Sequence, residues 1–176
     1  MKIIVEGPDG SGKTTLIQLL LAQPDLELEL MPRSSSSTGG PVKDLAKWVE
    51  HDLRRFGPSY RALYDRYPLI SELIYGPLLR GYLPDKFTNP HWMQQQWRKL
   101  CSNPVLIIYC LPPLARVREA ILSDPANQLE GVAQRIETMY WLYYAAMVKS
   151  PTTITWVWNW CQPDLDALAF RIKYDC

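Results

Sequence analysis

Gly7-Pro8-Asp9-Gly10-Ser11-Gly12-Lys13-Thr14, preceded by Lys2-Ile3-Ile4-Val5-Glu6 and followed by Thr15-Leu16-Ile17-Gln18-Leu19-Leu20-Leu21, decides how this chain is read. The eight residues are a complete G-x-x-x-x-G-K-[ST] phosphate-binding loop. The β-branched run before them predicts a strand and the apolar run after them a helix, the context in which such a loop works. Glycines let the backbone curl round an anion, so that N–H groups and the positive end of the helix face phosphate oxygens. Lys13 then reaches the β- and γ-phosphates and the Thr14 hydroxyl ligates Mg²⁺. The donor implied is a nucleoside triphosphate, bound by Gly7, Pro8, Asp9, Gly10, Ser11, Gly12, Lys13 and Thr14.

The remainder alternates as an α/β protein does. Strands are expected at 2–6, 26–31, 61–65, 105–110 and 153–158. Val105 to Cys110 is apolar on both faces, as a buried parallel strand requires. Helices are expected at 13–22, 42–56, 69–80, around Met93, Trp97 and Leu100, at 114–122 and 130–148, and around Leu165 to Ile172. These predict a three-layer α/β fold built round the P-loop, a mostly parallel five-stranded sheet in a single domain over 1–176. Residues 32–41, polar and turn-rich, read as a ligand-facing loop.

Composition narrows the classes further. The chain has 176 residues, 47% of them hydrophobic, and a net charge of +1. That charge weighs against a global electrostatic footprint for nucleic acid and leaves a local basic cleft open. Cys101, Cys110, Cys161 and Cys176 lack metal-ligand spacing, so thiols in a reducing cytosol are expected rather than zinc ligands. No apolar run approaches the roughly 20 residues of a membrane span. The chain begins directly on a strand, so a cytoplasmic protein without a signal peptide is expected, in the host cytoplasm if it is viral. Seven Trp and ten Tyr stand against three Phe; most such rings belong in the core, and some are available for base stacking.

A small GTPase would carry a separate Asp-x-x-Gly and an Asn-Lys-x-Asp; the only Asp-x-x-Gly is Asp9 to Gly12, inside the loop itself, and the second motif is absent. A motor ATPase would close its buried strand on an acid, whereas 105–110 ends in Cys110-Leu111-Pro112. Leu63-Tyr64-Asp65 reads as the only strand closing on a carboxylate, followed at once by Arg66. Beside bound phosphates, Asp65 can hold Mg²⁺ water or accept a hydroxyl proton. Arg66 can clamp the acceptor or steady the transferred phosphoryl group.

On Glu6 to Thr15, Pro32-Arg33 leading to Thr38-Gly39, and Asp65-Arg66-Tyr67, the chain resembles the thymidylate kinase family and its nucleoside and nucleotide kinase relatives. The resemblance implies an ATP-dependent, Mg²⁺-requiring kinase. Asp9 would face the acceptor sugar, Arg33 the acceptor phosphate or base edge, and Tyr67 or Tyr75 the acceptor ring; about 119–134 would be the lid. Lids of this kind bring arginines over the triphosphate. Here 119–134 contains none, so the cation is expected from Arg116, Arg118, Arg135, Arg33 or Arg66. Pro68-Leu69 also replaces the polar residues usual after the pair. These departures look more like a branch found in bacterial viruses that phosphorylates 5-hydroxymethyluracil in DNA than like an enzyme acting on free thymidylate. A further alternative is an ATP-binding module without transfer, against which the intact Lys13, Thr14, Asp65 and Arg66 argue.

Overall fold

A computed structural model describes residues 1–35, 40–57, 60–124 and 131–174. Five strands form one sheet in the order β2-β3-β1-β4-β5, every pairing parallel. They are β1 (Lys2–Glu6), β2 (Glu29–Leu30), β3 (Ala62–Asp65), β4 (Val105–Cys110) and β5 (Thr155–Trp158). Parallel pairing buries both faces, and period-2 alternation sorts the side chains between two cores. Ile4, Tyr64, Val105, Ile107 and Tyr109 belong to one; Ile3, Val5, Leu63, Leu106 and Ile108 belong to the other.

Helices cover both faces. Leu16, Ile17 and Leu20 of α1 (Lys13–Leu21) and Leu168 and Ile172 of α7 (Leu165–Tyr174) fill the second core. The first lies under α2 (Leu45–Asp52), α3 (Pro68–Tyr75), α4 (Pro90–Cys101), α5 (Leu114–Ser123) and α6 (Val132–Lys149). Pro90 at the first position and the Asn89 side chain, accepting from His91 N at 3.0 Å and Trp92 N at 3.2 Å, start α4. The stripe Val132, Ile136, Met139 and Tyr143 buries the inner face of α6. This is the α/β, three-layer, parallel five-stranded architecture expected.

The differences lie where backbone chemistry overrides pattern. The strand expected over 26–31 shrinks to Glu29–Leu30, because Pro24 opens a 3₁₀ turn that Glu27 closes at φ 49°. The helix expected over 42–56 begins only after Asp44, at φ 56°, and ends at Asp52. The helix expected over 69–80 is α-helical only to Tyr75; Gly76–Arg80 continues as a π-turn. Pro77 has no N–H to extend the ladder, so the turn widens there. The strand expected at 153–158 starts at Thr155, after a 3₁₀ turn over Thr152–Ile154.

Candidate active site

The phosphate loop emerges from β1 between β3 and β4. A Cβ on Gly7 would lie 2.6 Å from the Cys110 carbonyl oxygen, and one on Gly12 would lie 2.8 Å from the Trp160 ring, with φ +145° and +83°. Only glycine fits those two positions. Gly12 caps α1 without a side-chain hydrogen bond, which leaves the first-turn N–H groups directed at the loop. Lys13 is buried and its Nζ donates to the Pro8 carbonyl at 2.6 Å. Burial, helped by the nearby Arg66 charge, pulls the Lys13 ammonium down to about 8 against the pull of Asp9 and Asp65. Thr14 is exposed beside it, and Ser11 is buried.

The expected catalytic pair stands at the end of β3, where Val5 and Asp65 are in register. Arg66 donates its backbone N–H to the Val5 carbonyl at 3.0 Å and takes φ +69°, a left-handed conformation rare outside glycine. That bend turns its guanidinium back over the phosphate loop. Nη2 donates to Asp9 Oδ1 at 2.6 Å and to the Tyr75 hydroxyl at 2.6 Å, and the Tyr75 hydroxyl donates to Asp9 Oδ2 at 2.9 Å. The guanidinium also lies 4.6 Å from the Tyr75 ring centre. Burial works to raise the Asp9 carboxyl, but the charges of Arg66 and Lys13 outweigh it and hold it at about 2.

Arg33 reaches from the loop after β2 to pair with Asp65 Oδ2, its side chain 62% exposed against 9% for Asp65. Together they border a pocket of about 50 Å³, lined also by Arg66, Ser71, Glu72, Tyr75 and Arg80. Glu72 and Arg80 form an ion pair within it. Arg33, Arg66 and Arg80 thus converge on one small cavity. Asp65 Oδ1 is buried without a hydrogen-bond partner among the described residues. With the Thr14 hydroxyl, this orphaned oxygen is a donor set of the hard-oxygen kind that Mg²⁺ takes.

Several expectations are corrected. Tyr67 is fully buried in the core, and its hydroxyl donates to Asp52 Oδ2 at 2.8 Å, so it does not line the pocket; Tyr75 does. The cause is the register of the corner: with Arg66 turned outward, the next side chain points inward. Leu69 is likewise core, while Pro68 faces the pocket. Asp65 does not end the only acid-terminated strand. β1 closes on Glu6, fully buried, whose Oε1 accepts from the Tyr67 N–H at 2.6 Å. Burial pushes Glu6 up to about 8 although Tyr67 N–H, Arg66, Tyr143 and Lys13 all pull it down. The period-2 pattern of β1 puts Glu6 on the same face as Lys2 and Ile4. Nothing in the sequence marked Arg80, which the π-turn delivers.

Of the lid expected at about 119–134, residues 125–130 lie outside the described residues. Beside it, Arg116 pairs with Glu119 and Arg118 with Glu137, on exposed side chains, while Arg135 sits in the first turn of α6. Of the five arginines considered for the transition-state cation, Arg33 and Arg66 line the pocket.

No family model and no curated protein matches the chain. Solved structures do. The YorR protein of Bacillus subtilis, in complex with phosphorylated GDP, superimposes with a TM-score of 0.71 at 19% identity, over 98% of this chain and 93% of that one. Deoxyadenosine kinase from M. mycoides with bound dATP gives 0.55 at 16%, over 98% and 97%. The same enzyme with bound dCTP gives 0.52 at 17%, over 98% and 96%. The fold is that of a P-loop kinase. Among the described residues, no helix is long and apolar enough to cross a membrane.

Proposed function

We propose that the protein is an ATP-dependent phosphotransferase, and that its acceptor is the hydroxymethyl group of 5-hydroxymethyluracil in DNA. The observation that carries the first part is the Arg66–Asp9–Tyr75 triangle, which ties the phosphate loop to the β3 corner and brings donor and acceptor sides into hydrogen-bonded contact. The nucleotide complexes of the similarly folded proteins support the same reading. Mg²⁺ held at the Thr14 hydroxyl, with Asp65 reached only through its waters, would neutralise charge on the β- and γ-phosphates.

The protein's own groups divide the remaining work. Lys13 exchanges the Pro8 carbonyl for phosphate oxygens. Arg66, aimed across the loop, meets the charge on the phosphoryl group as it leaves its donor oxygen. Arg33 and Arg80 hold the acceptor. Asp65, with one oxygen unpartnered and the other held only by an exposed arginine, takes the proton from the attacking hydroxyl. On the β4–β5 side, the Trp160 ring against Gly12 leaves a surface for the donor base.

A hydroxyl acceptor needs a proton acceptor, and the orphaned Asp65 oxygen meets that need; a monophosphate brings an oxygen that is already ionised. A polymeric acceptor needs an open site, and the sequence over 119–134 supplies no arginine to clamp one shut. The C5 substituent of such a base projects into the major groove; flipping the base out is the other route. The three arginines round the pocket favour a second acceptor, free dTMP or another deoxynucleoside monophosphate. Incubation with ATP labelled on the γ-phosphate and a panel of dTMP, dUMP, thymidine and hydroxymethyluracil DNA separates them. Label on the modified DNA should exceed label on dTMP. Label on dTMP alone overturns the DNA acceptor and leaves a small nucleotide kinase; ATP bound with no label on any acceptor points to a non-catalytic module.

A further inference from the structure

Behind the Arg66 corner lies a polar network that the proposed chemistry does not use. Asp52, at the end of α2, is nearly buried, and its two oxygens collect three donors. Oδ2 accepts from Lys2 Nζ at 2.9 Å and from the Tyr67 hydroxyl at 2.8 Å, and Oδ1 accepts from the Tyr64 hydroxyl at 2.7 Å. Lys2 is fully buried, donates also to the Tyr64 hydroxyl at 2.9 Å, and lies 4.8 Å from the Phe56 ring centre and 4.9 Å from that of Tyr60. The Tyr67 ring stands edge-on to Tyr64 at 5.4 Å and tilted against Trp48 at 5.8 Å.

Tyr67 is held at its other end as well, since its N–H donates to Glu6 Oε1 at 2.6 Å. Residue 66 is therefore trapped. Its own N–H is fixed to Val5, the next residue is fixed at both N–H and hydroxyl, and the chain between them runs through Arg66 at φ +69°. A non-glycine residue keeps such a conformation only where its surroundings impose it. Lys2 and Tyr64 alone would give both Asp52 oxygens a partner. The third bond, from Tyr67, is the one that reaches the corner.

We propose that Tyr67 and Asp52 are positioning residues for phosphoryl transfer: Asp52 anchors Tyr67, and Tyr67 forces the backbone turn that aims Arg66 at Asp9 and the acceptor pocket. This rests on the phosphotransferase reading for its kinetic consequence, though not for its structural one. Tyr67→Phe removes a single hydroxyl and leaves Asp52 with Lys2 and Tyr64.

The Arg66 Nε–H is buried without a partner among the described residues, so its NMR resonance reports the placement of the guanidinium without turnover. Arg66→Lys assigns that resonance. In Tyr67→Phe the resonance should shift and broaden, and kcat should fall 10- to 100-fold while ATP affinity stays within about twofold. Combined with Arg66→Lys, Tyr67→Phe should add almost no further loss, because the two act through one group. An unmoved Arg66 resonance, or losses that multiply in the double variant, overturns positioning and leaves Tyr67 a packing residue. If the wild-type protein transfers phosphate to nothing, the phosphotransferase reading fails and the resonance alone decides this one. If Tyr67→Phe does not fold, Asp52→Asn is judged by the same resonance and the same cycle.

Discussion

Two polar clusters lie at opposite ends of β1, and they are finished differently. At the amino end, Lys2, Asp52, Tyr64 and Tyr67 satisfy one another within 2.7–2.9 Å. At the carboxyl end, Ser11 Oγ, Asp65 Oδ1 and Arg66 Nε are buried with no hydrogen-bond partner among the described residues. An unpaired buried polar group costs about 1–3 kcal/mol, so the second cluster is poorly built for the stability of the protein alone. It is suited to groups that arrive with a ligand. The closed cluster holds the open one in shape, through Tyr67.

The largest expected effect tests the open cluster. Lys13→Ala removes the only side-chain cation the loop supplies, and kcat should fall at least 10²–10³-fold. A variant keeping more than a tenth of wild-type kcat would sink the phosphate-loop assignment. Asp65→Asn should follow at about 10²-fold, with the far-UV circular dichroism and ATP affinity of the wild type. If the variant unfolds and its activity per folded molecule is unchanged, Asp65 belongs with the structural ion pairs.

The closed cluster should answer in stability. Lys2→Met leaves Asp52 with two tyrosine donors and no counter-charge, and loss of one partner of a buried pair typically costs about 3–5 kcal/mol. Urea unfolding should show a loss of that order with ATP affinity unchanged. A stable variant with impaired nucleotide binding would erase the distinction between the two ends.

The last effect carries a sign. Glu6 is raised from its ordinary 4.5 to about 8, so the native protein binds a proton that the unfolded chain releases. The stability this confers is full below pH 4.5 and drains away as pH rises to 8, at up to about 1.4 kcal/mol per pH unit. Asp9, held at about 2, stays ionised over that window, and Lys13 stays charged until about 8. Glu6→Gln should therefore flatten the decline in urea midpoint between pH 5 and 8. Equal slopes in both proteins would mean that Glu6 ionises freely.

The phosphate loop, the strands at 2–6 and 105–110 and the parallel α/β class were legible because each rests on local chemistry. Glycine spacing, β-branched runs and helical periodicity are properties of neighbouring residues. Asp65 and Arg66 were visible as a pair for the same reason. The pairing of Arg33 with Asp65, and of Arg66 with Asp9 and Tyr75, joins residues 32, 57 and 9 positions apart. No local pattern encodes those distances. Tyr67 and Tyr75 looked equivalent in the sequence; the left-handed turn at Arg66 separated them, sending one ring to the core and leaving the other at the pocket. Sequence alone thus determined the strand–loop–helix that carries the glycine-rich motif and the pair that follows β3. Only the tertiary structure decided which of their neighbours are left with unsatisfied buried atoms, because burial and partnership depend on every element packed around them.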